Sequence, residues 1–185
     1  MATLEEIEKA VRERFGEAVT TSAQFRGELT LSLRRAAIHD VCLFLRDAPE
    51  LRFNFLSSVT AVDYLNMGRV PRFDVVYHLL SLEHLHRLRL KVAVPEDDAH
   101  IASIVDVWLG ADWYERETYD MFGIVFDGHP NLARILMPDD WQGHPLRKDF
   151  PVGGARSFYF KRDTQPHVGE PPGLVPRIRI QDSDI

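Results

Sequence analysis

The sequence predicts an α+β fold, in which a mainly antiparallel sheet is covered by helices and is followed by an extended, irregular C-terminal tail. Residues 53–65, 72–81 and 86–95 have strand composition, and their short connections suit antiparallel neighbours. Residues 86–95 also alternate apolar and cationic side chains, which predicts one covered and one polar sheet face. From about residue 124 no helical or alternating pattern continues, apart from residues 176–180, and proline and glycine accumulate.

The N-terminal part predicts a helix, a strand and a second helix. Thr3 and Glu6 form a capping-box pattern that starts a helix over residues 3–15, and Gly16 suits its end. The apolar residues of this helix lie on one stripe: Leu4, Ile7, Val11 and Phe15. Leu29, Leu31 and Leu33 then alternate with polar residues, as in a strand. Helical spacing returns ahead of Pro49, at Ile38, Val41, Cys42 and Leu45.

Two further helices are predicted after the three strands. Acidic residues at 96–98 suit the first turn of a helix that Gly110 would end. Its apolar stripe consists of Ile101, Ile104, Val105 and Trp108. A short helix would follow, with Asp112 as N-cap, Glu115 at the capping-box position and Gly123 at its end. We therefore divide the chain into an α+β domain, residues 1–123, and an extended partner-binding segment and tail, residues 124–185.

Composition narrows the classes of function. The 185 residues carry a net charge of −6, and the basic groups are scattered, which disfavours binding to nucleic acid or to an anionic membrane surface. There is no apolar run of about 18 residues and no signal- or transit-peptide composition at the N-terminus. The single cysteine, Cys42, excludes a disulfide framework and a Cys-ligated cluster or zinc site within the chain, and it fits a reducing, cytosol-facing compartment.

The densest concentration of acidic and aromatic residues is WYERETYDMFGIVFDGHP, residues 113–130. Glu117 and Asp120 share a helical face with Trp113, and Arg116 precedes Asp120 by four residues, a spacing that permits pairing. A general acid/base pair would need two carboxylates aimed at one substrate, and structural ion pairs produce the same pattern. A small hydrolase that uses Glu117, Asp120 and His129 remains an alternative.

Metal and nucleophile chemistry have weaker support. His84 and His86 could point the same way on an extended segment, with a third ligand from His78, His129 or His144, but we expect solvated turn histidines. There is no Gly-x-Ser-x-Gly motif. Cys42 lies on an apolar helical stripe, which predicts core packing.

Residues 129–151, HPNLARILMPDDWQGHPLRKDFP, combine two His-Pro steps with the charge run Arg147-Lys148-Asp149. We call the short helix predicted between Asp112 and Gly123 the acidic helix. We expect residues 129–151 to pack beside it, with Arg134 or Arg147 facing Glu117 or Asp120, because buried charges need partners. The carboxylates would then serve docking and architecture.

On these residues the chain resembles the 30-kDa subunit, known in bacteria as the C subunit, of proton-pumping NADH:quinone oxidoreductase, respiratory complex I. The match spans about 37 contiguous residues and ends with an unbroken run from Trp141 to Pro151. Its earlier motif residues are Glu115, Arg116, Glu117, Asp120, Met121, Phe122, His129, Arg134, Ile135 and Leu136. The signature residues, which we expect at an interface, are Glu115, Arg116, Glu117, Asp120, Phe122, His129, Arg134, Trp141, Arg147, Lys148 and Asp149.

The resemblance implies a cofactor-free structural subunit of the peripheral arm, with no catalytic residue and no metal of its own. It would brace the quinone-site subunit, which is the D subunit in bacteria and the 49-kDa homologue elsewhere, and its tail would lie over that partner. FMN, iron–sulfur clusters and quinone would belong to partner subunits. The chain would sit on the cytoplasmic side of the inner membrane, or on the matrix side in an organelle, and would reach the membrane only through the complex. Membership of a related membrane-bound hydrogenase-type complex is the alternative within this superfamily.

Overall fold

The computed structural model describes residues 3–151, in which three α-helices and seven strands are formed. The helices are α1 (Leu4–Phe15), α2 (Ile38–Asp47) and α3 (Ala111–Phe122). The strands are β1 (Val19–Phe25), β2 (Glu28–Leu33), β3 (Phe55–Asp63), β4 (Phe73–Leu80), β5 (Arg87–Val94), β6 (His100–Ala102) and β7 (Val125–Asp127). Among these residues, no helix has the length and apolar content that crossing a membrane requires.

Five strands form one mixed sheet in the order β1-β2-β5-β4-β3. Three of its pairings are antiparallel and one, between β2 and β5, is parallel. The predicted α+β class with a mainly antiparallel sheet is therefore confirmed. The short connections do join antiparallel neighbours from β3 to β5. Strand β1 and the parallel pair were not predicted, because that pair joins segments separated by α2 and two other strands.

One face of this sheet is buried under the helices. Leu88, Leu90, Val92 and Val94 of β5 lie on it, as their alternation predicts, and α1 and α2 contribute Ile7, Val11, Ile38, Val41, Cys42 and Leu45 to the same core. Burial raises the pKa of the Cys42 thiol, so Cys42 is a packing residue, as predicted. Helix α3 packs against β3 and adds Met121 and Phe122 to this core.

The helix predicted between residues 96 and 110 is wrong. His100–Ala102 form β6, which pairs in parallel with β7 in a second, two-stranded sheet, and turns follow up to residue 110. The apolar residues are nevertheless buried, and Trp108 Nε1 donates to the Phe53 carbonyl oxygen at 3.2 Å. A short apolar run does not distinguish helix from strand by its spacing, and here the partner strand comes after α3.

Helix α3 starts two residues earlier than predicted. Its N-cap is Gly110, with no side-chain capping bond, so Asp112 is not the N-cap. The end is where the sequence places it: Gly123 has φ 73°, and its N–H donates to the Tyr119 carbonyl oxygen.

Residues 124–151 continue along the same body after α3. Ile124 and Phe126 are fully or almost fully buried, and Leu132 and Met137 pack against the core. The domain boundary placed at residue 123 stays a prediction. The predicted tail from residue 152 onward lies outside the described residues.

Helix α1 has the predicted capping box. The Thr3 hydroxyl accepts from the Glu6 N–H at 3.2 Å, and Glu6 Oε2 accepts from the Thr3 N–H at 2.6 Å. We predict that Thr3→Ala lowers the free energy of unfolding by about 1 kcal/mol, since the Glu6 N–H loses the side-chain oxygen to which it donates. Urea denaturation of the purified chain measures this, with Thr3→Ser as the matched control. An equal loss in Thr3→Ser would contradict the capping role.

Candidate docking site around the acidic helix

The Asp120 carboxylate accepts four hydrogen bonds. Its side chain is fully buried, and Oδ2 accepts from three successive backbone N–H groups, those of Ile135, Leu136 and Met137, at 3.1, 2.8 and 2.8 Å. Oδ1 accepts from Arg134 Nη1 at 2.6 Å. Burial raises the pKa of Asp120, but these bonds outweigh it and the pKa is lowered. Asp120 is thus an ionised structural anchor.

Arg134 faces Asp120, as one of the predicted pairings requires. Its other terminal nitrogen, Nη2, lies 3.3 Å from the Gly143 carbonyl oxygen. Arg116 does not pair with Asp120, because that carboxylate is already occupied. It donates instead to the Ala133 carbonyl oxygen at 3.0 Å, and its guanidinium carbon lies 5.2 Å from the centre of the Trp113 ring. Both arginines therefore hold the irregular backbone that follows β7.

Glu115 points into the protein rather than capping the helix. Its side chain is buried, Oε2 accepts from the Ser103 hydroxyl at 2.6 Å, and Oε1 accepts from the Ile104 N–H at 2.8 Å. Burial raises the pKa of Glu115 to about 7, because these two bonds compensate only part of the desolvation. The capping-box assignment is wrong since the helix starts at Ala111 and the turn after β6 supplies donors at this position.

Glu117 points the other way. It is exposed and, within residues 3–151, makes no hydrogen bond or ion pair. Trp113, on the same face, is also exposed. These three of the four carboxylates of α3 thus have three environments: the core for Glu115, the following segment for Asp120 and the surface for Glu117.

His129 closes the N-terminal end of α3. Its side chain is buried; Nδ1 accepts from the Asn131 N–H at 3.0 Å, and Nε2 donates to the Asp112 carbonyl oxygen at 3.3 Å. Both ring nitrogens are occupied by the fold. Glu117, Asp120 and His129 therefore do not converge on a common point, as the hydrolase alternative would require.

Arg147 binds the other end of α3. Its Nε donates to the Phe122 carbonyl oxygen at 2.6 Å, so it faces neither Glu117 nor Asp120. His144 Nδ1 is 3.0 Å from the Asp120 carbonyl oxygen. Gly123 leaves room for both side chains: a Cβ there would lie 2.4 Å from His144 and 2.8 Å from Arg147. The glycine that ends the helix is therefore also required by the segment packed against it.

Arg72 forms a second centre of charge. It is 8% exposed and makes two bonds to each of two carboxylates: Asp63, at 2.7 and 3.0 Å, and Asp149, at 2.8 and 3.1 Å. Glu96 also accepts from it. Burial raises the pKa of Asp63, but the bonds from Arg72 and from the Lys148 and Leu65 N–H groups lower it well below its usual range. This cluster attaches Lys148 and Asp149 to the ends of β3 and β4.

The remaining signature contacts join the two centres. The guanidinium carbons of Arg72 and Arg147 lie 4.9 and 5.2 Å from the centre of the buried Phe73 ring. Trp141 stacks on Phe150, with ring centres 6.2 Å apart. The Lys148 ammonium lies 2.9 Å from the Met67 sulfur.

Sequence reasoning missed Asp63, Arg72 and Ser103. Asp63 and Arg72 lie at the facing ends of two predicted strands that a short turn joins, and this was the available signal. Ser103 had no such signal, because its segment was assigned to a helix.

The histidine pair at 84 and 86 is also partly different from expectation. His84 lies in the turn between β4 and β5, but His86 is buried and stacks on it, with ring centres 5.3 Å apart. Within residues 3–151, no three or more His, Cys, Asp or Glu side chains are grouped so that they could hold a metal ion.

A family model for the respiratory-chain NADH dehydrogenase 30 Kd subunit matches residues 31–156, a stretch that includes every signature residue. The chain belongs to this family. Among its members, the C subunit of NADH-quinone oxidoreductase from Roseiflexus sp. (strain RS-1) is 53% identical over 154 residues, which are 83% of this chain and 87% of that protein. The C subunit from Citrifermentans bemidjiense is 50% identical over 159 residues, or 86% and 92% of the two chains.

Two solved structures resemble this member of the 30 Kd subunit family. One is a trypsin-resistant fragment, residues 1–134, of Nqo5: it is 34% identical, has a TM-score of 0.58 and covers 68% of this chain and 98% of its own. The other belongs to a membrane-bound sulfane sulfur reductase, an archaeal respiratory membrane complex. It is 26% identical, with a TM-score of 0.66, and covers 94% of this chain and 98% of its own.

The buried Glu115 predicts a pH-dependent effect on stability. Because its pKa is higher in the folded protein than the ordinary value of 4.5, its protonation stabilises the fold at low pH. This contribution, on the order of 3 kcal/mol, is lost as pH rises from about 4.5 to 7. Glu115→Gln keeps an acceptor for Ile104 and a donor for Ser103. We expect it to be more stable than wild type at pH 8, by about 1–3 kcal/mol, and to lose this advantage at pH 4.5.

Urea denaturation at the two pH values measures the difference in free energy of unfolding between Glu115→Gln and wild type. The contributions of all other titrating groups are common to the two proteins and cancel in this difference. Glu117→Gln, on the exposed face of the same helix, is the matched control and should change the free energy of unfolding by less than about 0.5 kcal/mol. A pH-independent difference for Glu115→Gln would contradict the raised pKa.

Asp120 should be the most sensitive carboxylate of the site. Asp120→Asn leaves Arg134, whose side chain is 15% exposed, without its charged partner, so we expect a loss of at least about 3 kcal/mol in the free energy of unfolding. Asp139→Asn, an exposed acid of the same segment, should change it by less than about 0.5 kcal/mol. Denaturant titration of the three proteins at pH 8 decides this, and similar losses in both variants would refute it.

Proposed function

We propose that this chain is a cofactor-free structural subunit of the peripheral arm of a proton-translocating NADH:quinone oxidoreductase, and that it braces the 49-kDa quinone-site subunit. One observation carries the proposal. The buried signature side chains of α3 and of residues 129–151 bond to one another and to backbone, so they shape a rigid irregular segment instead of converging on a substrate. A shaped, irregular surface of this kind suits recognition of a partner protein.

Exposed apolar side chains surround the shaped segment. Leu136 and Leu146 belong to it, and their backbone N–H groups bond to Asp120 and Met121 of α3. Met67 and Val70 lie on the β3–β4 loop that the Arg72 cluster ties to the segment. All four side chains are exposed: Leu136 by 55%, Leu146 by 53%, Met67 by 60% and Val70 by 92%. We call Met67, Val70, Leu136 and Leu146 the signature surface; apolar residues fixed on rigid backbone are typical anchors of a protein interface.

The branch of the family follows from the relatives. Those of 50–58% identity are named as the C subunit of NADH-quinone oxidoreductase, which favours this enzyme. Membership of a related membrane-bound complex is the second candidate, because the sulfane sulfur reductase chain matches over 94% of this one, although at 26% identity.

The chemistry of the assembly would belong to other subunits. Iron–sulfur clusters need several cysteine ligands, and this chain has one cysteine, which is buried in the core. The clusters would therefore be bound by partners, and we assign FMN and quinone to partner subunits as well. The chain would sit on the cytoplasmic side of the inner membrane, attached through the complex.

Co-purification tests this function. The tagged chain is isolated from its native membranes, the accompanying subunits are identified by mass spectrometry, and NADH:quinone activity is assayed. We expect flavin- and cluster-bearing subunits and the 49-kDa homologue with the wild-type chain. Leu146→Asp should reduce their recovery at least roughly tenfold, because it places a charge in an apolar contact.

Leu82→Asp is the matched control, because Leu82 is equally exposed, at 55%, and lies in the β4–β5 turn at the opposite end of the strands. Its recovery should equal that of wild type. A wild-type chain that is recovered alone, or a Leu146→Asp variant that assembles fully, would contradict the proposal.

A further inference from the structure

The second face of the five-stranded sheet has no layer over it within residues 3–151. Residues that pair across β3, β4, β5 and β2 form cross-strand rows on this face. One row is Phe55, Leu80 and Arg87; the next is Ser58, His78, Arg89 and Thr30; the third is Thr60, Val76, Lys91 and Ser32. We call this surface the open face. It is separate from the signature surface, which lies at one end of the strands.

Hydrogen bonds lock the central row of the open face. Arg89 donates to Glu28 Oε2 at 2.7 Å, to Thr30 Oγ1 at 3.2 Å and to His78 Nε2 at 3.0 Å. Because an arginine only donates, His78 Nε2 accepts and the histidine is neutral. Its Nδ1–H then donates to Ser58 Oγ at 3.1 Å, which leaves the Ser58 hydroxyl hydrogen free to donate. These bonds fix the side chains of the row, and Glu28 balances the charge of Arg89.

Two cations beside this row are not balanced. Arg87 and Lys91 flank Arg89 on the same strand face, each about 7 Å along the strand from it. Within the described residues, neither has a carboxylate partner, whereas Arg69, Arg72 and Arg89 all have one. A depression of about 210 Å³ lies beside Arg87, and the other residues of its lining are Glu28, Ser57, His78, Leu79, Leu80, Leu88 and Arg89. The open face therefore offers fixed donors, free positive charge and a recess of side-chain size.

We propose that the open face docks an acidic segment of another protein subunit, with a carboxylate side chain in the recess beside Arg87 and a second acid at Lys91. Arg87 supplies a planar fork that matches a carboxylate. Charge complementarity predicts an acidic occupant, because the unpaired groups of the open face, Arg87 and Lys91, are cations. They form a positive patch on a chain whose net charge is −6.

The apolar edge of the open face favours a protein over a phosphate-bearing ligand. Phe55 and Val62 of the edge strand β3 are 45% and 37% exposed; Phe55 pairs with Leu80, whereas Val62 pairs with the buried Asp74 and lies diagonally from Val76. An aromatic and aliphatic border next to arginine is typical of protein interfaces. Nucleic acid and anionic membranes instead require extended positive charge, and this patch has two free cations.

Carbodiimide cross-linking of the affinity-purified assembly tests the proposal, because this reagent joins an amine directly to a carboxylate in contact with it. We expect Lys91 to be linked to an aspartate or glutamate of another subunit. Arg87→Lys keeps the charge and adds an amine, so a second link from position 87 to the same acidic segment is expected.

Charge reversal supplies the second readout. Arg87→Glu should abolish the Lys91 link and reduce retention of the linked subunit in a salt wash at least roughly tenfold. Arg14→Glu, the same change at an exposed arginine of α1, should leave both unchanged. Circular dichroism identical to wild type shows that each variant is folded.

Links of Lys91 to acids of this chain itself, or no link in an assembly that is otherwise complete, would overturn the proposal. So would full retention of every subunit by Arg87→Glu. If any of these results is obtained and Leu146→Asp still fails to assemble, only the open-face proposal is overturned and the proposed function stands. A wild-type chain recovered without partners removes both proposals, so the two failures are distinguishable.

Discussion

Residues 129–151 have almost no regular structure, yet much of their backbone is only partly exposed, and buried amide groups need partners. The Asp120 carboxylate supplies three of them in a row, at residues 135–137, and it pairs with Arg134 at the start of that run. Charge-assisted bonds are stronger than neutral ones, so a single side chain fixes one whole turn of irregular chain. The contacts of Arg134 with Gly143 and of His144 with Asp120 follow from that position.

The Arg72 cluster makes this attachment rigid. Asp120 fixes the segment to the end of α3. Arg72 fixes Asp149, which follows Asp120 by 29 residues, to the ends of β3 and β4. Two fixed points on different elements leave little freedom for the chain between them. Because a buried ion pair contributes little net stability when compared with apolar packing, the value of these charges lies in specifying one path for the backbone.

The sequence predicted the local elements and part of the site. Helices α1 and α2 and strands β3 to β5 are determined by spacings within a few residues, and the pairing of Asp120 with Arg134 follows from the need of buried charges for partners. Strands β6 and β7 depend on a partner more than twenty residues away, which no local spacing reveals. The same gap produced the error at Glu115, since its true partners lie in the turn that was assigned to a helix. Arg72 was missed because charges at strand ends also suit solvent.

Three of the four carboxylates of α3, those of Glu115, Glu117 and Asp120, show why spacing alone does not assign chemistry. At about 100° per residue, Glu117 and Asp120 lie only about 60° apart around the helix, which is close enough to suggest a shared site. The edge of the covered surface passes between them, so one is exposed and the other is fully buried. Burial raises the pKa of both buried carboxylates, but the net result differs. The pKa of Glu115 stays raised because two donors compensate only in part, whereas the pKa of Asp120 is lowered because four donors meet one carboxylate. A family motif that spans these positions therefore combines a core residue, an anchor and a surface residue, and only the surface residue is available to a partner.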